Sequence, residues 1–364
     1  MEDFQVSDLI TIKSMFRTYT VDFVKNFGKK IIDVILPGDV IIIDANVSKL
    51  YIDIFSSILE NSKYIIIQPS EEQKSYQKLE WVIDELINKG FRKNNRLIAV
   101  GGGITQDITA FISSILFRGV DWIFFPTTLL AQCDSCIGSK TSINFGNNKN
   151  QIGNFWPPIE IYIDTEFLNT LSNEEIRSGF GEMLHYFMVD GKESFINFAS
   201  IPFEDLYKKE TIEKLIFRSL AIKKGYIEKD ELDQGPRQVF NYGHSFGHAL
   251  ESITNYAIPH GIAVSFGMDI SNCISVSLGL LDVAVRIEAR KIFQRNWKGF
   301  DLSNIDVRAF EKALSKDKKN VGNELRVILS KGYGKMFKSP LIIDSIVSGL
   351  LDEWFSSWNV EINS

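Results

Sequence analysis

RLIAVGGGITQDITAFISSILFRG, residues 96 to 119, decides the fold. Its first half is a short apolar run, Leu97 to Val100, that ends in three consecutive glycines. Its second half carries apolar residues at helical spacing. A short apolar run closed by glycine reads as a buried strand, and the following 3.6-residue period reads as a helix. Strand, glycine turn and helix together open a βαβ unit. Glycines at such a turn let backbone N–H groups approach an anion at the helix N-terminus. The spacing is not G-x-G-x-x-G, because Gln106 stands where a further glycine would fall. Taken alone, AVGGGITQD (99–107) is equally a tight strand-to-helix turn.

The neighbours repeat the pattern. DVIIIDAN (39–46), KYIIIQ (63–68), DWIFFPTT (121–128, stopped by Pro126) and IEIYIDT (159–165) read as further strands. SYQKLEWVIDELINKG (75–90) has helical periodicity, with Gly90 as its C-cap. Strand and helix in alternation predict a mostly parallel sheet. Beyond about residue 166 helical patterns take over, and only LRVILS (325–330) looks extended. The expected organisation is an α/β domain over 1–165 with a mostly parallel sheet, then a mainly α-helical domain over 166–364. No internal repeat or low-complexity segment interrupts it.

Composition narrows the function. The 364 residues are 45% hydrophobic and 24% charged, enough for one large domain or two medium ones, each with its own core. The net charge is −6, with no block of Lys or Arg, which argues against nucleic acid and anionic membrane as partners. The start, MEDFQVSDL, lacks a basic stretch followed by an apolar one, so no signal peptide is expected. Runs such as VIII (40–43) and YIII (64–67) are too short to span a bilayer. Three cysteines (Cys133, Cys136, Cys273) are too few for a disulfide framework, and a cytoplasmic location is the default expectation.

Several polar clusters admit two readings each. Asp44 ends the first strand, and Glu71 and Lys74 lie in PSEEQKS. They either hold a nucleotide's ribose or are solvated loop charges. The chain has four histidines. His185 follows Glu182 by three residues, His244 and His248 share a helix face at i, i+4, and His260 lies in IPHGIAV. Imidazole and carboxylate together suit a metal with an open position, whereas a lone histidine is usually a satisfied polar residue. H-E-x-x-H is absent, which excludes the zincin proteases. Arg118, Lys140, Lys149, Arg237 and Lys318 sit in turn-like surroundings. They suit either a small polyanionic substrate or surface salt bridges. Cys133 and Cys136 have C-x-x-C spacing, but no second pair completes a zinc site.

Taken together and in order, these motifs resemble the dehydroquinate synthase family of sugar phosphate cyclases. GGGITQD is similar to its nucleotide loop, and PTTLLAQCDSCIGSKTSINFGNNKNQIGNFWPP (126–158) to its longest signature. SGFGEMLHY, RQVFNYGHSFGHALE and PHGIAVSFGM resemble its metal-binding stretches, and KDKKNVGNELRVIL its C-terminal lysine motif. The resemblance implies that Glu182, His244 and His260 bind a divalent metal, zinc or cobalt. It implies NAD on Asp44, Glu71, Lys74, Gly101, Gly102, Gly103, Asp107, Thr127 and Thr128. Arg118, Asp134, Lys140, Lys149, Asn150, His185, Lys223, Arg237, Asn241, His248 and Lys318 would surround a sugar phosphate. The implied reaction takes 3-deoxy-D-arabino-heptulosonate 7-phosphate to 3-dehydroquinate with loss of phosphate and regeneration of NAD, in a homodimer. In that pattern the cysteine positions carry small or apolar residues, so the C-x-x-C reads as incidental.

Three positions depart from the family's usual pattern. His185 stands where a lysine is usual, Gln106 replaces a glycine, and Ile262 replaces an acidic residue; Ser139 for Gly and Asp233 for Glu are smaller changes. The first keeps open a cyclase for another sugar phosphate, such as sedoheptulose 7-phosphate or glucose 6-phosphate. A metal-dependent polyol dehydrogenase and a relative that binds NAD without turnover stay open as well.

Overall fold

The computed structural model describes residues 9–146, 148–315 and 324–360. The chain forms two compact units. One comprises the residues up to Ser172 together with Ile212–Leu232; the other comprises Asn173–Thr211 and the residues from Asp233 onward. The boundary expected after residue 165 therefore falls seven residues short of the first crossing. It also misses the return of 212–232 to the first unit.

In the first unit the order is β1 (Ile10–Lys13), β2 (Thr18–Phe23), α1 (Phe27–Val34), β3 (Val40–Asp44), α2 (Ala45–Leu50), α3 (Ile52–Glu60) and β4 (Lys63–Ile67). It continues with α4 (Leu79–Asn88), β5 (Leu97–Gly101), α5 (Gly103–Ile115), β6 (Trp122–Pro126), β7 (Ile143–Phe145), β8 (Asn148–Ile152) and β9 (Glu160–Ile163). Seven strands make one sheet in the order β1-β2-β9-β6-β5-β3-β4. Every pairing is parallel except β1 with β2. The expected mostly parallel sheet is what forms. Its inner strands β3, β5 and β6 are buried at every residue, as a sheet covered on both faces requires. Ile41, Ile43, Ile98, Val100, Ile123 and Phe125 pack on Phe27, Ile31, Phe55 and Phe167. Helix α4 ends as its sequence predicts. Gly90 takes φ +71°, its N–H donates to the Ile87 carbonyl, and Phe91 N–H donates to that of Leu86.

The β1–β2 hairpin and the β7–β8 hairpin go beyond the strands expected from the sequence. β1 and β2 alternate buried and exposed residues, but over only four and six positions. β8, Asn148–Ile152, is polar and largely exposed, so no hydrophobic period marks it.

The second unit is mainly helical. It holds α6 (Asn173–Asp190), α7 (Lys192–Ala199), the start of α8 (Lys209–Ile227), α9 (His244–Ile253), α10 (His260–Ser277), α11 (Val283–Trp297), α12 (Val307–Ser315) and α13 (Ser345–Ser356). An antiparallel hairpin, β10 (Leu325–Ser330) with β11 (Met336–Leu341), completes it. α6 and α10 are buried on all faces, the mark of central helices. Several polar residues of α10 find partners inside. Ser271 Oγ donates to the Ile328 carbonyl and Asn272 accepts from the Tyr242 hydroxyl. Asp269 accepts from Arg286, Arg290 and the Trp354 indole, tying α10 to α11 and α13. Among the described residues no helix is long and apolar enough to cross a membrane.

Candidate active site

Because β3, β4, β5 and β6 run parallel, their C-terminal ends share one end of the sheet. Ligands of open α/β sheets bind at such ends. Asp44 closes β3, and its Oδ1 accepts from the N–H groups of Asn46 and Val47, at 2.7 and 3.2 Å. It is thus the N-cap of α2 rather than a solvated loop charge. β5 delivers Gly101, Gly102 and Gly103. A Cβ on Gly101 would stand 2.4 Å from Thr105 Oγ1, and one on Gly102 would stand 2.9 Å from the Thr128 side chain. A Cβ on Gly103 would meet nothing within 4 Å. α5, 13 residues long, has Gly102 at its N-cap, no side-chain cap and no acidic residue in its first turn. Its leading N–H groups and open approach fit a pyrophosphate. β6 leads to Thr127, whose N–H donates to Gly101, and to Thr128, whose hydroxyl accepts from Ala131 N–H.

The remaining polar candidates of this unit interlock. Lys74 is buried and pairs with Asp107 at 2.5 Å and with Asn150 Oδ1 at 2.7 Å. Burial raises the Asp107 pKa above its ordinary value, and the Lys74 charge opposes that rise. Lys149 lies 3.8 Å from Glu71, and Asn144 holds Glu71 through Oε1 at 2.8 Å. Lys223 donates to the carbonyl and to Oδ1 of Asp134, both at 2.7 Å. So two residues assigned by resemblance to substrate, Lys149 and Asn150, share networks with residues assigned to the nucleotide. Arg118, at φ +63°, and Lys140 are exposed.

Sequence reasoning missed the supports of this region. Gln106 Nε2 donates to the Ser135 carbonyl at 2.5 Å, and Ser135 Oγ donates back to Gln106 Oε1 at 2.6 Å. This pair ties α5 to the turn Ala131–Ser135 that carries Asp134. Buried Glu231 accepts from the hydroxyls of Ser14 and Ser139, anchoring the residue before Lys140. Two of the departures, Gln106 and Ser139, are thus hydrogen-bonded supports. Cys133 and Cys136 are buried free thiols. Burial pushes the Cys136 thiol up to about 12.

The second cluster is built inside the second unit by glycine. A Cβ on Gly181 would stand 1.9 Å from the Gly261 carbonyl oxygen, and one on Gly261 would stand 1.8 Å from that of Ser178. Only glycine lets α6 and α10 touch backbone to backbone. Ser178 Oγ accepts from Gly261 N–H at 3.0 Å and fixes the register. That contact brings Glu182 of α6 to His260, the first residue of α10. Gly243 takes φ +81° and starts α9 at His244.

The ligand atoms of Glu182, His244 and His260 lie within 4.8 Å of one another. His244 Nε2 is 3.4 Å from Glu182 Oε1, and His260 Nε2 is 3.7 Å from Glu182 Oε2. Each imidazole is turned by its other nitrogen. His244 Nδ1 faces the Tyr242 carbonyl at 3.3 Å, and His260 Nδ1 faces Glu251 Oε2 at 3.1 Å. With Nδ1 donating, Nε2 presents a lone pair, the arrangement seen behind metal-ligating histidines. Two such lone pairs and a buried carboxylate facing one another fit a divalent cation between them. His248, Glu251 and His260 form an overlapping trio. His248 is exposed; Arg237 is buried in the turn Pro236–Asn241, whose last residue, Asn241, donates to the Gln238 carbonyl. Ile262 is buried in α10. Lys318 lies outside the described residues.

Comparison with known proteins agrees along the chain. Residues 64–178 match the 3-dehydroquinate synthase N-terminal family and residues 179–320 the 3-dehydroquinate synthase C-terminal family. The 3-dehydroquinate synthase of Alkaliphilus metalliredigens (strain QYMF) is 34% identical over 300 residues, covering 81% of this chain and 84% of that one. Among solved structures, 2-deoxy-scyllo-inosose synthase complexed with carbaglucose-6-phosphate, NAD+ and Co2+ superposes with a TM-score of 0.83 at 21% identity, covering 96% of this chain and 100% of that one. The 2-epi-5-epi-valiolone synthase of Streptomyces hygroscopicus subsp. jinggangensis 5008, with NAD+ and Zn2+ bound, does so at 0.81 and 22% identity, covering 94% and 97%. Family matches that together span most of the sequence, and a curated relative at this identity, establish that the chain belongs to the 3-dehydroquinate synthase family.

Proposed function

We propose that this protein is an NAD- and metal-dependent cyclase that converts 3-deoxy-D-arabino-heptulosonate 7-phosphate to 3-dehydroquinate with elimination of phosphate. The observation that carries the reading is the convergence of Glu182, His244 and His260, in a chain of this family. These three would hold a divalent ion, zinc or cobalt. The glycine turn at the start of α5, with Asp44, Glu71, Lys74, Asp107, Thr127 and Thr128, would hold NAD. When bound, the two cofactors supply Lewis acidity at a substrate oxygen and reversible hydride transfer, which leaves NAD unconsumed.

The chain's own side chains position the substrate. Lys140, Lys149, Asn150, Arg118 and Lys318 supply donors and charge for a phosphate. Arg237, buried and always charged, and Asn241 beside it suit the carboxylate of the heptulosonate. Asp134 and Lys223 hold each other, which keeps the lysine's charge in place. His248, exposed next to the cluster, is the residue to which we assign proton transfer. We also propose, from the resemblance alone, that the protein is a homodimer.

The test is stoichiometry: phosphate released should exceed NAD supplied many times over, with no growth of NADH absorbance. One observation favours a second reading. His185, where a lysine is usual, would suit a cyclase for a different sugar phosphate, assayed with sedoheptulose 7-phosphate and glucose 6-phosphate. Stoichiometric NADH from a simple polyol would instead mark a dehydrogenase and sink both cyclase readings.

A further inference from the structure

We propose that His185 is a positioning residue of the metal centre, one that holds the Glu182 carboxylate through Oε1 and thereby sets the geometry in which the ion is bound. The inference rests on the metal site proposed above. His185 follows Glu182 by three residues, so both project from the same face of α6. Its Nδ1 lies 3.3 Å from Glu182 Oε1, and both side chains are almost wholly buried. The same oxygen faces His244 Nε2, while Oε2 faces His260 Nε2. Oε1 is thus the junction at which the supporting and the ligating imidazoles meet.

The His185 ring has little freedom. It lies 4.0 Å from the Tyr186 ring centroid, and the rings of Phe240 and His244 stand edge-on to it at 5.5 and 5.3 Å. An imidazole fixed in this way, with Nδ1 beside Oε1, limits rotation of the Glu182 carboxylate. His185 does not join the trio of mutually close ligand atoms, so it serves as a support rather than as a ligand. Outer-sphere partners of this kind tune affinity and geometry of the bound ion. A lysine here would carry its charge at the end of a flexible stem, whereas the short imidazole keeps Nδ1 beside the carboxylate. The departure from the family pattern therefore turns position 185 toward the ligand set.

The test compares wild type with His185→Leu, His185→Asn and His185→Gln, each stripped of metal and titrated with Co2+ against a chromophoric chelator. The visible spectrum of the bound Co2+ is recorded alongside. Asparagine places an amide nitrogen where Nδ1 stands; glutamine places it where Nε2 stands. Leucine and glutamine should weaken Co2+ binding about 10- to 100-fold and alter the ligand-field bands, and asparagine should restore both. Wild-type affinity and spectrum in all three variants would overturn the proposal. Should the leucine variant fail to fold, as melting of the metal-free protein would reveal, the asparagine–glutamine contrast decides, and equal behaviour overturns the idea. A wild type that binds no Co2+ would defeat the metal reading itself. Binding by wild type with indifferent variants would defeat only the role given to His185.

Discussion

At the scale of single residues, the cluster of Glu182, His244 and His260 is legible in the sequence because its side chains are rare and oddly spaced. With four histidines in the chain, the E-x-x-H and H-x-x-x-H patterns stand out by themselves. The lysine contacts are not legible. Nothing in the sequence says that Lys223 meets Asp134, 89 residues away, or that Glu231 anchors Ser139. His244→Ala should weaken Co2+ binding by more than the roughly 100-fold that an outer-sphere partner costs, and should abolish turnover. Undiminished activity would contradict the ligand assignment. The C-x-x-C makes the opposite case. Burial disfavours the thiolate of Cys136 and lifts its pKa to about 12, so at pH 8 only about one thiol in ten thousand is ionised. Iodoacetamide mapping of the native protein at pH 8 should leave Cys136 unmodified until denaturant is added. Rapid labelling would revive a redox role.

At the scale of elements, β3, β5 and β6 are legible because burial on both faces forces continuous apolar runs, as in VIIID of β3 and WIFFP of β6. The hairpins are not, because strands such as NKNQI show no apolar alternation and draw their order from side-chain bonds, Asn150 N–H to Asn144 among them. The glycines of α6 and α10 look like helix weakeners in the sequence, and in the fold they are contact points. Gly181→Ala would drive a methyl into the Gly261 carbonyl. It should cost about 1–3 kcal/mol and weaken metal binding, as melting and Co2+ titration can check; unchanged values for both would contradict the close approach of α6 and α10. Asp44 separates a cap from a ligand contact. Serine caps a helix about as well as aspartate but reaches less far. Asp44→Ser should therefore keep the melting temperature while raising the Kd for NAD, and an unchanged Kd would leave Asp44 as a cap alone.

At the scale of the whole molecule, the change from α/β to helical texture near residue 166 lies seven residues before the first crossing between the two units. The return of Ile212–Leu232 to the first unit leaves no trace in the sequence, because a helix that leaves a unit has the same period as one that stays. Its consequence is chemical. The returning segment carries Lys223 to Asp134 and Glu231 to Ser139, so the signature loop is completed by residues that follow it by about 90 positions. Gln106 and Ser139, which look like losses against the family pattern, contribute bonds inside the first unit. His185, the third such position in the site, contacts the metal cluster instead. Three departures that make contacts of their own, Gln106, Ser139 and His185, argue against a site that has decayed. The measurement that tests this most directly is the identity of the product formed from 3-deoxy-D-arabino-heptulosonate 7-phosphate by zinc- or cobalt-loaded protein with NAD, followed by mass and NMR. Catalytic phosphate release with 3-dehydroquinate as the carbocycle is the predicted result; folded, metal-loaded protein that releases no phosphate from this substrate would contradict it.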